Sequence, residues 1–313
     1  MAHNLHFEDG EASMFYFGET PWHKLGTRLE EPATSTEAIK AAKLDWKVTK
    51  IPLFAIDPVS RTVLNVDKKF AIVPEHKLGK PDCPVFGIAG EEYTPVQNHE
   101  AFSFFDSIVG EKQAIYHTAG ALGHGERVWI LAKLPNNIVL TEDDNVGKFL
   151  LLSNSHDGTS SISIKFTPIR VVCQNTLIAA LEDGRTIQVP HLRDVKGRLE
   201  KAKDLLGILG NAYGNIEDTF KKMLEYQLNK EKLDGYLGAV FPDSCRKEGP
   251  DKEKENRLIK ERKETSRRLF ETGRGNNLKK VSGSLWAAYN GVTEMVDYTR
   301  KVYGDRRLHS IWF

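Results

Sequence analysis

Residues 148–166, KFLLLSNSHDGTSSISIKF, are the stretch of this sequence that most directly predicts its fold. An apolar run leads into Asn-Ser-His-Asp-Gly, which is typical of a tight turn, and a strictly alternating run follows. In a strand, that alternation directs Ile162, Ile164 and Phe166 to one side and Lys165, with its neighbouring serines, to the other. The stretch therefore predicts an antiparallel hairpin with one core face and one available face.

Similar patterns surround this hairpin on its N-terminal side. β-type runs occupy 46–56, 62–66, 70–74 and 114–134, and the last of these contains a Gly-His-Gly turn. Helices are expected from a capping box at 34–37 to about residue 44, and over 99–109 behind a capping Asn98. Residues 1–190 are therefore predicted to form a strand-rich α+β body.

After Pro190 the periodicity becomes helical. Helices are predicted over 199–228, 230–239 and 257–271, with a charged linker-like stretch at 243–256. Apolar residues at 285–303 recur at alternating spacings of four and three, which predicts a long helix with one apolar stripe, here called the 285–303 seam. The predicted fold class is α+β, with a twisted, mainly antiparallel sheet and packed helices, followed by a basic helical region at 191–313.

The charge of the chain is divided between these two parts. Residues 1–190 carry 18 Lys and Arg against 24 Asp and Glu, whereas residues 191–313 carry 26 against 19. A basic half favours contact with a polyanion, because phosphates respond to local rather than net charge. The alternative is a helical half that uses lysines as solvated helix formers.

The spacing of the three cysteines and the lack of an apolar run long enough to span a membrane limit the class of protein that this chain can be. Cys83, Cys173 and Cys245 form no CxxC pair, so neither a disulfide framework nor a cysteine zinc site is predicted. We find neither a signal peptide at the start nor an apolar run of the ~20 residues that a membrane span needs. We expect a cytoplasmic protein with no cofactor and no membrane contact.

Five segments together carry a family resemblance. They are PWHKLGT (21–27), YTPVQNHEAFSFFD (93–106), GHGERVWILAKLP (123–135), HDGTSSISIKFTPIRVVCQNTL (156–177) and LWAAYNGVTEMVDY (285–298). In this order the chain resembles the phage/plasmid-like protein family built on a domain of unknown function. The resemblance implies intracellular life on a mobile element, often beside replication and recombination genes, and a chain that continues past Phe313. It implies no established activity.

Catalytic signals are incomplete. His156 and Asp157 could hold a metal, as in hydrolases with paired His and Asp, but that chemistry needs further ligands from separate helices, and a structural turn is the favoured interpretation. Cys173 is more simply a buried core residue than a nucleophile. The chain has no P-loop, GxSxG, HExxH or dinucleotide fingerprint. An enzyme is therefore the less favoured expectation.

Two groups of residues predict anion contact. Arg170 enters a short strand, and Asn175 with Thr176 opens the helix that follows, which places a guanidinium near free backbone N–H groups. Lys165 lies on the available strand face. The alternative for Arg170 is a pair with a carboxylate such as that of Asp157. The second group consists of basic residues within 252–280, followed by one aromatic residue: Arg267, Arg268, Arg274, Lys279, Lys280 and Trp286. Basic side chains with a stacking ring suit single-stranded nucleic acid, although Trp286 could equally pack in a helical core.

Three functions remain open at this point. The first is a non-catalytic protein that binds single-stranded DNA in recombination or replication, as annealing proteins do, and that forms a homo-oligomer through the 285–303 seam. The second is a protein-interaction module that antagonises a host defence or restriction enzyme, with the acidic half facing a basic host partner. A metal-dependent hydrolase using His156 and Asp157 is a distant third.

Overall fold

The computed structural model describes residues 4–109, 114–172, 174–182, 186–192, 197, 212–245 and 249–296. The chain forms two compact units. The sheet unit contains His3–Asn136 and Gly147–Gly210, and the helical unit contains Asn137–Val146 and Asn211–Phe313. The helical unit thus begins about twenty residues beyond the change of pattern at Pro190, and it also takes in a short segment from the middle of the chain.

Fourteen strands and seven α-helices lie within the described residues. The strands are β1 (Phe7–Glu8), β2 (Glu11–Ala12), β3 (Met14–Phe17), β4 (Thr27–Leu29), β5 (Val48–Ile56), β6 (Val63–Pro74), β7 (Gly87–Gly90), β8 (Ile115–Leu122), β9 (Arg127–Lys133), β10 (Ile138–Val139), β11 (Asn145–Val146), β12 (Phe149–Ser155), β13 (Ile162–Thr167) and β14 (Ile187–Val189). The helices are α1 (Ser35–Ala41), α2 (Asn98–Val109), α3 (Gln174–Glu182), α4 (Ala212–Glu225), α5 (Lys230–Val240), α6 (Pro250–Thr272) and α7 (Leu285–Glu294).

A seven-stranded sheet organises the sheet unit, in the order β14-β13-β12-β9-β8-β3-β4. Every neighbouring pair is antiparallel except β3 and β4, which run parallel. The predicted α+β class and mainly antiparallel sheet are confirmed. The predicted hairpin is β12–β13, in which Leu152 pairs with Ile164 and Leu151 pairs with Lys165.

Helices cover both faces of this sheet. On one face Leu152 and Ile164 pack with Ala38 of α1 and Phe102 of α2. On the other, Leu151 and Trp129 pack with Leu177 and Ala180 of α3. The predicted core face of β13 is confirmed, but the opposite face is not available, because α3 and the segment before it cover it.

Of the two helix caps predicted from the sequence, one is confirmed. Thr34 caps α1 through the predicted capping box. Asn98, by contrast, is 1% exposed and donates from Nδ2 to the Leu44 carbonyl oxygen at 3.0 Å, so its amide is not the predicted cap of α2. The Gln97 carbonyl accepts the first helical bonds instead. A second sheet, in the order β5-β6-β7, completes this unit beside the two-stranded pair β1-β2.

In the helical unit, α5, α6 and α7 share one apolar cluster that includes Leu237, Leu269 and Val292. Residues 250–256, predicted as linker, are the first turns of α6. Pro250 occupies the first helical position and two acidic residues follow it, a combination that favours a helix start. Val292 and Val296 of the predicted 285–303 seam lie in this cluster, whereas Leu285 and Tyr289 are half-buried outside it. Residues beyond 296 lie outside the described part.

Candidate functional site

A basic loop connects α6 to α7. We define it as residues 273–283, GRGNNLKKVSG, which contain no acidic residue. Arg274, Lys279 and Lys280 are exposed in it, and Arg268 is exposed one turn before α6 ends. The loop therefore exposes three cationic side chains within eleven residues, and the Glu294 carboxylate lies beside its start, where Oε2 accepts the Arg274 N–H at 2.8 Å.

The basic loop is held by buried polar bonds. The Asn276 side chain is 1% exposed, and its Nδ2 donates to the carbonyl oxygens of Leu269 at 2.8 Å and Ala287 at 2.9 Å. Ser284 Oγ caps α7 by accepting the Ala287 N–H at 3.1 Å. Since Asn276 joins both helices, the loop has a defined conformation in which its lysines face outward.

Replacing Asn276 with alanine is expected to destabilise the helical unit by about 1–3 kcal/mol, because two bonds between the helix ends are lost. Chemical denaturation followed by circular dichroism measures this change. The matched control is Asn277→Ala, since Asn277 is the exposed neighbour in the same loop. Equal stability of N276A and wild type would show that the loop does not depend on this amide.

An exposed aromatic ring lies next to the basic loop. The Tyr226 carbonyl accepts the Leu285 N–H at 2.8 Å, and Leu228 N donates to the Gly283 carbonyl at 2.9 Å. The Tyr226 side chain is 49% exposed, and Lys232 Nζ lies 4.7 Å from its ring centroid. The sequence interpretation did not select Tyr226, because only these long-range backbone bonds place it beside the loop.

Of the two interpretations left open for Trp286, the structure shows packing in a helical core and not an exposed stacking position. It is 4% exposed, its ring stacks on Tyr289 at 5.4 Å, and its Nε1 donates to Asp144 Oδ2 at 2.8 Å. The ring therefore packs in the helical unit and presents no free face to a nucleobase. Arg267 is also engaged, since its Nε lies 3.2 Å from Asp234 Oδ1 and its Nη2 bonds the same oxygen.

The predicted residues of the sheet unit lie on its α3-covered face. Lys165 is 3% exposed, which removes it from direct contact with a nucleic acid in this conformation. Arg170 donates to the carbonyl oxygens of Phe17 and Glu19, and its Nε lies 3.4 Å from His117 Nδ1. Asp157 is not its partner, and the guanidinium ties down the β3–β4 connection. Asn175 lies in the first turn of α3.

Two histidines beside Arg170 were not selected from the sequence. His117 accepts from Arg170 at Nδ1, and burial, with Arg170 and Lys133 nearby, lowers its pKa to about 3. His23 Nδ1 accepts the Leu25 N–H at 3.1 Å, so its protonated Nε2 donates to the Val172 carbonyl at 2.9 Å. Burial lowers the pKa of His23 as well. Both imidazoles are thus neutral structural groups around neutral pH.

His156 and Asp157 have separate roles in the turn between β12 and β13. His156 is fully buried between Trp46 and Phe86, and its Nε2 lies 3.0 Å from Asn98 Oδ1. Burial, with His191 nearby, lowers its pKa to about 3. Half-burial by itself raises the pKa of Asp157, but hydrogen bonds from Ser155 and Thr159 outweigh this effect and lower it.

The described residues do not support the metal interpretation of this turn. Within them, no group of three or more His, Cys, Asp and Glu side chains is placed to hold a metal ion. Asp157 Oδ1 accepts from the Thr159 N–H at 2.8 Å, and Gly158 has a φ of 76°. These are the features of the structural turn that the Asp-Gly pair predicts. Cys173 lies outside the described residues.

The chain is thus a two-unit α+β protein whose main sheet is covered on both faces and whose helical unit exposes a basic loop. Residues 85–312 match the family described as Domain of unknown function (DUF932), and the chain belongs to this family. The predicted resemblance to a family built on a domain of unknown function is confirmed.

Comparison with a curated relative and with solved structures does not assign a function beyond this family membership. The chain is similar to the UPF0380 protein YfjQ of Escherichia coli (strain K12), with 43% identity over 60 residues. That alignment covers 19% of this chain and 22% of YfjQ, so it spans less than a quarter of the relative. No solved structure matches the chain. Among the described residues, no helix is long and apolar enough to cross a membrane.

Proposed function

We propose that this chain is a non-catalytic protein of a phage or plasmid that binds single-stranded DNA in recombination or replication, in the cytosol of the host cell. The observation that carries the proposal is the basic loop, which is anchored by Asn276 and contains no acidic residue. Annealing of complementary strands requires neither a metal nor a nucleophile, so a rigid cationic surface is sufficient for this class of function.

The basic residues of this half differ in whether a carboxylate pairs with them. On α6, Arg267 pairs with Asp234, and Lys263 Nζ lies 3.1 Å from Asp243 Oδ1. Within the described part of the chain, Arg268, Lys279 and Lys280 are exposed and have no ion pair. Cations without protein partners can neutralise phosphates and release the counterions of a nucleic acid, which favours binding.

The exposed ring of Tyr226 favours a single strand over a duplex as the ligand. Bases of a single strand can stack on an exposed ring, whereas paired bases are already stacked on one another. The Tyr226 ring carries the Lys232 ammonium near one face, and it lies beside a loop that can follow the phosphates. Tyr226 thus takes the stacking role that the sequence interpretation assigned to Trp286.

The proposal predicts that purified protein binds a labelled single-stranded oligonucleotide, with an affinity that falls steeply as salt rises. The double variant K279E/K280E should bind at least tenfold more weakly, and the slope of log affinity against log salt should fall by about 1.4, at about 0.7 per phosphate contact. Fluorescence anisotropy at several salt concentrations measures both quantities. The matched control is K40E/K80E, which makes the same charge change at two exposed lysines of the sheet unit.

Two outcomes would contradict the proposal. One is no binding by the wild-type protein at about 50 mM salt, and the other is equal loss of affinity in the loop variant and the control. Y226A is expected to lose about 1–3 kcal/mol of binding while Y226F keeps it, because stacking needs the ring and not the hydroxyl. If the wild-type protein does not bind, the protein-interaction alternative drawn from the acidic half becomes the one to test by pull-down from host extract.

A further inference from the structure

The β5–β6 hairpin extends into an arm that exposes large apolar side chains. We define the arm as residues 52–66, in which Phe54 pairs with Asn65 and Ile56 with Val63. Directly paired residues of an antiparallel ribbon lie on the same face. Phe54, Ile56 and Val63 therefore form one apolar face, and their exposed fractions are 55%, 63% and 62%.

The tip of the arm is an ordered turn. Asp57 Oδ1 accepts the N–H groups of Val59 at 2.8 Å and Ser60 at 3.0 Å, and Asp57 N donates to the Thr62 carbonyl at 3.0 Å. Arg61 adopts a φ of 60°, which the turn requires. The arm is thus a preformed element and does not need to fold when it meets a partner.

Both the length and the apolar face of the arm indicate that a partner covers it. A two-stranded ribbon is only marginally stable in water unless another surface packs on one of its faces. Contiguous exposed apolar residues on a folded protein mark interaction surfaces more often than chance positions do. Pairing through the β5 edge is disfavoured, because Pro52 lacks an N–H and the register shifts between Pro52 and Phe54. The partner should therefore pack on the face of the arm.

The charges of the arm fit a second copy of the same chain. Its sides are neutral, and its two charged residues, Asp57 and Arg61, lie at the tip. At its base the exposed charged residues are Asp67, which accepts from Asn65 Nδ2 at 2.8 Å, Lys68, whose Nζ lies 3.9 Å from Glu91 Oε2, and Lys69. In a two-fold antiparallel arrangement the tip of one arm lies beside the base of the other, which brings Arg61 to Asp67 and Asp57 to the two lysines.

We propose that two copies of this chain associate through the apolar faces of their arms, packed antiparallel about a two-fold axis. This assigns self-association to the arm and not to the 285–303 seam, of which Val292 and Val296 are buried. The arm belongs to the sheet unit and the basic loop to the helical unit.

Sedimentation velocity over the micromolar range tests the proposal with the full chain. Wild-type protein should sediment with twice the 35.3 kDa mass of one chain. The variant F54T/I56T/V63T should be monomeric with unchanged circular dichroism, because the three side chains are exposed and threonine suits a strand. The control L78T/V85T/V139T changes three other exposed apolar residues and should remain dimeric.

A charge exchange tests the two-fold geometry. Arg61→Glu should weaken the dimer, and adding Asp67→Arg should restore it, because each pair then meets with reversed signs. Three results would overturn the proposal: a wild-type monomer at every concentration, a threonine variant that is still dimeric, or wild-type binding to phosphatidylglycerol vesicles that the threonine variant loses. The last result would assign the arm to a membrane surface. If dimerisation is confirmed but DNA binding fails, the arm proposal stands alone.

Discussion

Lowering the pH from 7 to 5 is expected to reduce the free energy of unfolding by about 4 kcal/mol, through His117 and His156 alone. Burial lowers the pKa of each to about 3 in the folded protein. In the unfolded chain a histidine has a pKa near 6.5. Below that pH the unfolded chain therefore binds a proton at each of these histidines, whereas the folded protein does not. At pH 5 each site then favours unfolding by about 2 kcal/mol.

The sign of this effect follows from the lowered pKa values. Stability from the neutral histidines is fully present above about pH 6.5 and is lost progressively as the pH falls towards about 3. The charged neighbours are Arg170 and Lys133 for His117, and Asp157 for His156, with His191 also near His156. Asp157 titrates in a lower window, so pH 5–7 isolates the histidines.

Urea unfolding at several pH values between 5 and 7 measures the slope. His156→Gln should remove about 2 kcal/mol of the loss on acidification, even if the variant is less stable at pH 7. His6, His23 and His191 continue to contribute to that loss, because burial lowers their pKa values as well. His124→Gln, at an exposed turn, controls for the removal of one imidazole. A wild-type stability that does not change between pH 7 and pH 5 would show that the two buried imidazoles can take up protons in place.

Gly87→Ala is expected to cost about 3 kcal/mol of stability. A Cβ at residue 87 would lie 2.0 Å from the Asp157 carbonyl oxygen and 2.6 Å from its carbonyl carbon. These are backbone atoms and cannot rotate away as a side chain would. The β7 strand or the turn at Asp157 must therefore shift, and the contact between the two sheets opens.

The same strand provides the matched control for this variant. Gly90 also lies in β7, and a Cβ there would meet nothing within 4 Å. Gly90→Ala should therefore change stability by no more than about 0.5 kcal/mol. Thermal unfolding of the two variants beside the wild type compares them directly, and equal melting temperatures would show that the turn yields without cost.

The local elements of the sheet unit could be predicted from the sequence because their signals are short in range. The alternation after Gly158 is the pattern of a half-buried strand, and β13 follows it. The capping box at Thr34 needs only four consecutive residues, and α1 starts there. Both outcomes depend on residues within one turn or one hairpin of each other.

What could not be predicted depends on contacts between distant segments. The free face of β13 was expected to meet solvent, but α3 and the segment before it cover it, and Lys165 becomes buried. Trp286 is buried because Asp144 and the neighbouring aromatic rings surround it. The basic residues were predicted from composition, whereas the selection of Arg268, Lys279 and Lys280 needed the ion pairs of α6, which a sequence does not display.

The pairing of β3 with β8 has a consequence for when the main sheet forms during synthesis. Phe15 pairs with Ala119, about a hundred residues later in the chain. A ribosome adding 5–20 residues per second exposes the apolar run Met-Phe-Tyr-Phe for roughly 5–20 s before its partner strand is synthesised. During that interval the run cannot pair with β8, so we expect it to be accessible to chaperones, and the part of the sheet that contains β3 forms only after β8 has been synthesised.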